Sequence, residues 1–353
     1  MKILVINPGS TSTKIGMFDG DEQIFEKVIR HEREEFESYE KIVDQYDFRK
    51  SLVEAALEES GLSVQDFDAI VGMGGLTKPV EGGTFLINEA MVKDLRSTQY
   101  GDHASSLGSI IAYEMTRGTD IPPFMVDPVV VDEFADISRI SGHPLLPRRS
   151  VFHALNQKAT AKRYCKEHGK RYDDVNLIVT HMGGGISCGI HNKGWVVDAN
   201  NALDGDGPFT PERTGTLPVG QLATLCFSGE YTLSEVRAMI KGKGGLVAYT
   251  NSNSAKELEE RAETNPEARL LIDALAYQVA KVIGEMATVV NGEVDAIILT
   301  GGIAYSKYIV GEISKRVSFI APVHPYPGED ELGALAQGAL RVLRGEEKAK
   351  IYK

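Results

Sequence analysis

The sequence predicts an α/β protein organised as two domains, and three observations predict it. At 353 residues the chain is longer than one ordinary hydrophobic core serves, so two cores are expected. Strand-like apolar runs alternate with helix-like periodic segments along most of its length. One pattern also occurs twice. ILVINPGSTSTKIGM at residues 3–17 and LIVTHMGGGISCGI at 177–190 each read as an apolar strand, a polar residue (Asn7, His181), a turn rich in Gly, Ser or Thr, and alternating apolar residues. A duplicated strand–turn–strand unit, one per domain, would place two copies half a chain apart in this way.

In chain order, residues 3–7 read as a buried strand, and 15–18 and 23–29 as further strands joined by a turn at Asp19-Gly20. A helix is predicted over about 38–60 and a strand at 69–72, followed by a Gly-rich stretch to Gly83. Helices follow near 89–97 and 104–117, then a strand near 124–126. The second half opens with a helix at about 150–168, strands near 176–181, 186–190 and 195–198, and several helices. The clearest of these starts at Asn265-Pro266-Glu267, which offers an N-cap, a proline at the first helical position and an acid in the first turn; it runs to about Asn291 and stops at Gly292. A strand at 295–300 and a last helix at about 331–343 complete the series. No Ser/Pro-rich linker separates the halves.

Composition narrows the function classes. The formal net charge of −12 argues against a nucleic-acid-binding surface, and it requires any site for anions to supply its own Arg, Lys or Mg²⁺. No apolar run approaches the ~20 residues of a membrane span, and no basic stretch precedes an apolar one, so neither a membrane partner nor a signal peptide is expected. Three widely spaced cysteines form no metal motif and no disulfide framework, which fits the cytoplasm. The strings GxxxxGK[ST] and HExxH are absent, and no GxGxxG follows a strand.

Three Gly-rich turns can meet a ligand. Asn7-Pro8-Gly9-Ser10-Thr11-Ser12-Thr13-Lys14 offers open backbone N–H groups, the hydroxyls of Ser10 and Ser12, and the Lys14 ammonium. It is either a phosphate cradle or an ordinary hairpin turn. His181-Met182-Gly183-Gly184-Gly185 carries three successive glycines, entropically unfavourable unless another group approaches the backbone closely; a plain bulge is the alternative. Thr300-Gly301-Gly302-Ile303 follows a buried strand, where adenine or ribose could lie, or where helix and strand simply pack tightly. His103, Asp127, His153 and Glu331 are isolated polar candidates, and a lone residue of these types is more often structural than catalytic. Arg213, in Pro211-Glu212-Arg213-Thr214-Gly215, is better suited to clamp phosphate.

Taken together these strings resemble the acetate and butyrate kinase family. Asn7, Gly9, Ser10, Ser12 and Lys14 match its first signature, and His181, Gly183, Gly185 and Ser187 nearly match its second. The resemblance runs the full length. It leans to the butyrate branch through Lys78-Pro-Val-Glu-Gly-Gly-Thr84, Val126-Asp-Pro-Val-Val-Val-Asp-Glu133, Arg139-Ile-Ser-Gly142, Phe152-His-Ala-Leu-Asn-Gln-Lys158, Glu212-Arg-Thr-Gly-Thr-Leu-Pro218 and Gly328-Glu-Asp-Glu-Leu-Gly-Ala-Leu-Ala336. The resemblance implies two duplicated actin-like ATPase domains of βββαβαβα type around a nucleotide cleft. They would comprise 1–149 plus about 325–353 for acid and phosphate, and 150–324 for nucleotide. It implies ATP-dependent phosphorylation of butyrate, or of a related short or branched carboxylate, to the acyl phosphate, and a homodimer or higher homo-oligomer. An acetate or propionate kinase, and a non-catalytic actin-like ATP-binding protein, are the alternatives.

The same resemblance implies the roles. Arg213 stabilises charge on the transferring phosphoryl group, and His153 assists it. His181 and Gly183, Gly184 and Gly185 hold the β- and γ-phosphates, with the first turn; Gly301, Gly302 and Ile303 receive adenosine. Asp127 and Glu331 organise Mg²⁺ or its waters with Asn7 nearby, Asp127 having also been viewed as an acid/base group. His103 supports the acid-binding end. Two departures stand out: Met73 occupies the place where acetate kinases carry an Arg, and could wall a longer acyl chain, and Gly184 stands where they carry Asn.

Overall fold

A computed structural model describes residues 1–36 and 39–353. The chain packs as two compact units, Met1–Asp132 with Asp330–Lys353, and Glu133–Glu329. In chain order the first unit contributes β1 (Lys2–Pro8), β2 (Ser12–Asp19), β3 (Glu22–Arg30), α1 (Tyr46–Ser60), β4 (Ala69–Gly72), β5 (Thr84–Leu86), α2 (Glu89–Ser97), α3 (Ser105–Thr116) and β6 (Pro123–Val126). The second holds α4 (Ala154–Glu167), β7 (Asn176–Met182), β8 (Ile186–Asn192), β9 (Trp195–Ala199), α5 (Val219–Cys226), α6 (Leu233–Ile240), α7 (Leu246–Thr250), α8 (Ala255–Arg261), α9 (Pro266–Val289), β10 (Ala296–Gly301), α10 (Lys307–Val317) and β11 (Val323–Pro327). The chain then returns to the first unit as α11 (Glu331–Leu343) and β12 (Lys350–Ile351).

The strand order of the first sheet is β12-β5-β6-β4-β1-β2-β3, and that of the second is β11-β10-β7-β8-β9. Both contain the same core: three antiparallel strands in sequence, then two parallel strands added beside the first. The duplication extends to register. Asn7 pairs with Lys14 one step before the β1–β2 turn, and His181 pairs with Ser187 one step before the β7–β8 turn. The polar residue that ends each apolar run therefore occupies the same place beside each turn.

Burial explains why these segments form strands. Residues of β1, β7 and β10 are buried almost without interruption, as strands covered on both faces must be. In the first unit α11 lays Leu332, Leu335, Ala336, Ala339 and Leu340 into the core, and a Cβ at Gly338 would lie 2.4 Å from the Val126 side chain. In the second unit α9 buries Ile272, Leu275, Val279, Ile283 and Met286 along one face. Its start follows the expected chemistry, with Asn265 Oδ1 accepting from the N–H groups of Glu267 and Ala268 at 2.9 and 3.1 Å.

Three expectations need correction. The helix over 38–60 begins only at Tyr46, after a 3₁₀ turn at Ile42–Gln45; Ser38 lies outside the described residues. The helix over 150–168 begins at Ala154, because a tight turn at His153, closed by Ala154 N–H on the Phe152 carbonyl at 2.9 Å, precedes its first helical residue. And β5, β11, β12 and α10 were not foreseen. β5 is three residues long, and β11 reads Val-His-Pro-Tyr-Pro, whose prolines suit only an edge strand.

Candidate active site

In the first unit the β1–β2 turn closes through a bond from Gly9 N–H to the Ser12 carbonyl at 2.7 Å. Arg49, fully buried on α1, holds it from behind, donating to the carbonyls of Gly9 and Ser12 at 3.0 Å each and to Thr13 Oγ1. Burial lowers the Arg49 pKa to about 10, so the guanidinium remains charged at neutral pH beneath the turn. Ser10 is exposed and Ser12 half-buried. Glu331 Oε2 accepts from Asn7 Nδ2 at 3.0 Å and from Lys14 Nζ at 2.8 Å, joining the start of α11 to both strands of the hairpin. The neighbouring acid Asp330 caps that helix instead, accepting from Gly333 N–H at 2.8 Å.

Asp127 does not join that trio. Its backbone takes the left-handed conformation, φ +38°, rare for a residue with a side chain, and its Oδ1 accepts from Gly83 N–H at 2.7 Å while its own N–H donates to the Gly83 carbonyl. Met73 lies in a tightly threaded segment. A Cβ at Gly72 would come within 2.3 Å of the Gly108 backbone, one at Gly74 within 2.4 Å of Pro128, and one at Gly75 within 2.3 Å of Ser106 Oγ. Met73 is thus the one residue of Gly72–Gly75 that carries a side chain, beside the Asp127–Pro128 turn. His103 is exposed at the start of α3, where its Nδ1 accepts from Ser105 N–H at 3.2 Å.

The second unit gathers the other candidates around the three-glycine turn. Gly183 N–H closes the turn onto the Gly185 carbonyl at 3.0 Å. The Arg213 side chain lies flat against Gly185: a Cβ there would sit 1.9 Å from Nη1 and 2.5 Å from Cζ. Arg213 also donates to the Ala202 carbonyl, while its Nε is buried and unpartnered. Desolvation lowers its pKa, opposed by Glu212. The loop that carries it is pinned: Thr210 Oγ1 donates to the Gly184 carbonyl at 2.6 Å and accepts from Arg213 N–H at 3.0 Å.

His153 and His181 stack with centroids 3.9 Å apart and planes 19° from parallel. Burial first, then His181 and Arg213, push the His153 pKa well below its ordinary value, so its ring is neutral. His181 faces Asn156 Oδ1 at 2.9 Å through Nδ1 and Glu329 Oε1 at 3.0 Å through Nε2. Gly301 has φ +87° and its Cβ would meet the Met182 carbonyl oxygen at 2.4 Å, so close packing requires glycine there; Gly302 faces open space and Ile303 is buried.

The geometry therefore brings together Asn7, Lys14 and Glu331 in one unit, and His153, His181, Gly183, Gly184, Gly185, Arg213 and the Gly301–Gly302 turn in the other. Asn156, Gln157, Arg49, Thr210 and Glu329 were not singled out from sequence. Asn156 and Gln157 stood in plain view beside His153 on the segment Phe152–Lys158. A helix pattern alone does not say which of its polar residues points inward.

Mg²⁺ takes few protein ligands, usually one or two carboxylates, and keeps several waters. Among the described residues no three His, Cys, Asp or Glu side chains cluster as a metal cage. Glu331 with the Asn7 amide is the kind of sparse oxygen donor set that such an ion takes, so the residues present fit it.

The sequence model of the Acetokinase family matches residues 140–320. A probable butyrate kinase of Clostridium botulinum is 56% identical over 99% of each chain. Butyrate kinase 1 of Clostridium acetobutylicum is 55% identical over 100% of this chain and 99% of its own. Among solved structures, Porphyromonas gingivalis acetate kinase superposes with a TM-score of 0.79 at 17% identity, over 97% of this chain and 99% of that one. A propionate kinase from Francisella tularensis gives 0.74 at 18% identity, over 96% and 98%.

Proposed function

The chain belongs to the acetate and butyrate kinase family, and from that premise we propose how its residues carry out the reaction. It is a carboxylate kinase with the actin-like ATPase fold, and butyrate, or a short or branched acid close to it, is its substrate. The observation that carries the assignment of the site is the seating of Arg213 on Gly185 beside the stacked His153 and His181.

In the proposed mechanism a carboxylate oxygen of the acid attacks the γ-phosphorus of ATP. The new P–O bond forms as the bond to the β-phosphate oxygen breaks, and ADP leaves with that electron pair. Both reactants are anions, so positioning and charge neutralisation dominate. The acid is ionised at neutral pH and gives up no proton, so Asp127 has no base to be. Arg213 is the cation at the transferring group, and neutral His153 donates a hydrogen bond to it. His181 and the N–H groups of Gly184 and Gly185 hold the β- and γ-phosphates, since Gly183 N–H is engaged within its own turn. Ser10, Ser12 and Lys14 meet phosphate oxygens, and adenosine lies along Gly301, Gly302 and Ile303. Glu331 and Asn7 would hold Mg²⁺ or its waters, and the ion when bound would neutralise phosphate charge. The first unit takes the acid, with Met73 as an apolar wall and His103 at the same end; the second takes ATP or ADP.

Hydroxylamine trapping of acyl phosphate tests the substrate. With ATP and Mg²⁺ across acetate, propionate, butyrate, isobutyrate and valerate, the rate is expected to peak at four or five carbons. One methylene contributes about 1–3 kcal/mol, so the flanking acids should react more slowly rather than not at all. A peak at acetate would overturn the butyrate assignment. No hydroxamate with any acid would leave a non-catalytic ATP-binding protein.

We also propose a homodimer. Helix α5 buries none of its residues, and Val219 and Phe227 at its two ends are 80 and 91% exposed, apolar side chains that a second copy would cover. Light scattering should give twice the chain mass for the wild type and the monomer mass for Phe227→Asp; a monomeric wild type refutes it. Among the described residues no helix is long and apolar enough to cross a membrane. The supply of ATP and the three free cysteines support a cytoplasmic setting.

A further inference from the structure

We propose that Gln157, His191 and Tyr172 are positioning residues for phosphoryl transfer. With Ser187 they form one directed hydrogen-bond chain that presents His153 to the transferring group as a ring protonated on Nε2. The proposal rests on the reading above, in which His153 donates to the phosphoryl group.

The direction of the chain follows from one carbonyl. Gln157 Nε2 lies 3.0 Å from the Ser187 carbonyl oxygen and 2.8 Å from Ser187 Oγ. A carbonyl only accepts, so the amide nitrogen must face it; the flipped amide would set oxygen against oxygen. Gln157 Oε1 is then an acceptor, and His191 Nε2, 3.1 Å away, must donate to it. His191 is wholly buried and kept neutral, first by desolvation and then by Lys158 and Lys162, so its Nδ1 bears a lone pair. The Tyr172 hydroxyl, 2.7 Å from that nitrogen, donates to it.

The other end is settled the same way. Ser187 Oγ accepts from Gln157 Nε2 and from the backbone N–H of His153 at 3.2 Å. A hydroxyl has two lone pairs and one proton. With both lone pairs engaged, the proton goes to His153 Nδ1, 2.7 Å away. His153, being neutral, carries its own proton on Nε2. Every link runs one way, from the Tyr172 hydroxyl to the His153 Nε2–H.

The β8 strand is built around this chain. Ser187, Gly189 and His191 alternate along one face, the face toward Gln157 on α4. A Cβ at Gly189 would lie 2.6 Å from Gln157 Oε1 and 3.2 Å from Val196 Cγ1, so a side chain there would displace the amide. Three successive positions on that face thus serve one amide group. Which ring nitrogen of a histidine can donate is set by what the other one meets, and the wrong tautomer disables a correctly placed ring.

Long-range ¹H–¹⁵N spectra of the histidine-labelled full-length protein read the tautomer directly, with the His153 peaks identified by their loss in His153→Gln. The wild type should show His153 with a bare Nδ1 and a protonated Nε2. A proton on Nδ1 overturns the chain whatever the variants do. Gln157→Met should lower kcat roughly 10- to 100-fold, as loss of an orienting partner does, with KM for ATP and for the acid held within about threefold, and should mix the two His153 tautomers. An unchanged kcat, or a loss confined to KM, overturns positioning. Should Gln157→Met not fold, Tyr172→Phe at the half-buried outer end gives the same readings in weaker form, a kcat lowered about two- to fivefold, and an unaltered rate and spectrum count against the chain. His153→Ala at full rate would instead sink the catalytic reading of His153, an outcome distinct from a misassigned tautomer.

Discussion

Arg213→Ala is expected to lower kcat by about 10³-fold, the range seen when an arginine at a transferring phosphoryl group is removed, which is about 4 kcal/mol of transition-state stabilisation. Geometry sharpens this into a cycle. Because Arg213 lies on Gly185, Gly185→Ala places a methyl group 1.9 Å from Nη1, and the guanidinium must move. Gly185 does not have a positive φ, so alanine strains the backbone little there and acts on Arg213. Gly185→Ala should therefore reproduce most of the kcat loss of Arg213→Ala, and the double variant should be no more than about twofold slower than Arg213→Ala alone, since residues acting as one unit are not additive. Rapid-quench measurement of acyl phosphate formation checks this. Additive losses would mean that Gly185 and Arg213 act separately, and near-full rate in Arg213→Ala would remove Arg213 from the mechanism.

The largest stability effect is expected next door on α4. Lys158 Nζ donates to Glu133 Oε1 and Oε2 at 2.9 and 2.7 Å and to the Gly194 carbonyl at 3.2 Å, and Glu133 Oε2 also accepts from Val196 N–H at 2.8 Å. Both side chains are only 3% exposed. Lys158→Met removes the ammonium that bonds both oxygens of the buried Glu133 carboxylate and should cost about 3–5 kcal/mol. For a unit of this size that is a fall of roughly 10 °C in the unfolding transition. The double variant Lys158→Met with Glu133→Met replaces two ions by apolar chains of similar length and should recover most of the loss, because the pair's attraction largely offsets its desolvation. Differential scanning calorimetry of the two variants decides it: equal melting points would show that the buried pair is not what the single change breaks.

Much of the framework is legible in the chain itself. The strand at β1, the caps of α9, and the helix Glu331–Leu343 follow from local pattern, because apolar runs, N-caps and glycine stops act over a few residues. The duplicated turns were visible for the same reason, and their shared register bears the duplication out. β5 and β12 are not visible, since two or three residues carry too little periodicity, and β11 is hidden by its two prolines.

For the site, local pattern could nominate residues but not pair them. Asn7, Lys14 and Glu331 were all marked, yet that one carboxylate oxygen serves both Asn7 and Lys14, while Asp330 caps the helix, depends on where α11 returns across more than 300 residues of chain. Asp127 stands out in the sequence, and the structure ties it to Gly83. Gly185 was marked as a place where something approaches the backbone, but only the packing names it as Arg213. Gln157 and His191 do not stand out in the sequence, because nothing in a helical or alternating pattern distinguishes a polar residue turned inward from one turned to water. Residue type and spacing state the chemistry a segment can offer over a few ångströms of its own backbone. Which donor meets which acceptor is decided by contacts between segments far apart in sequence, and that only the packed structure supplies.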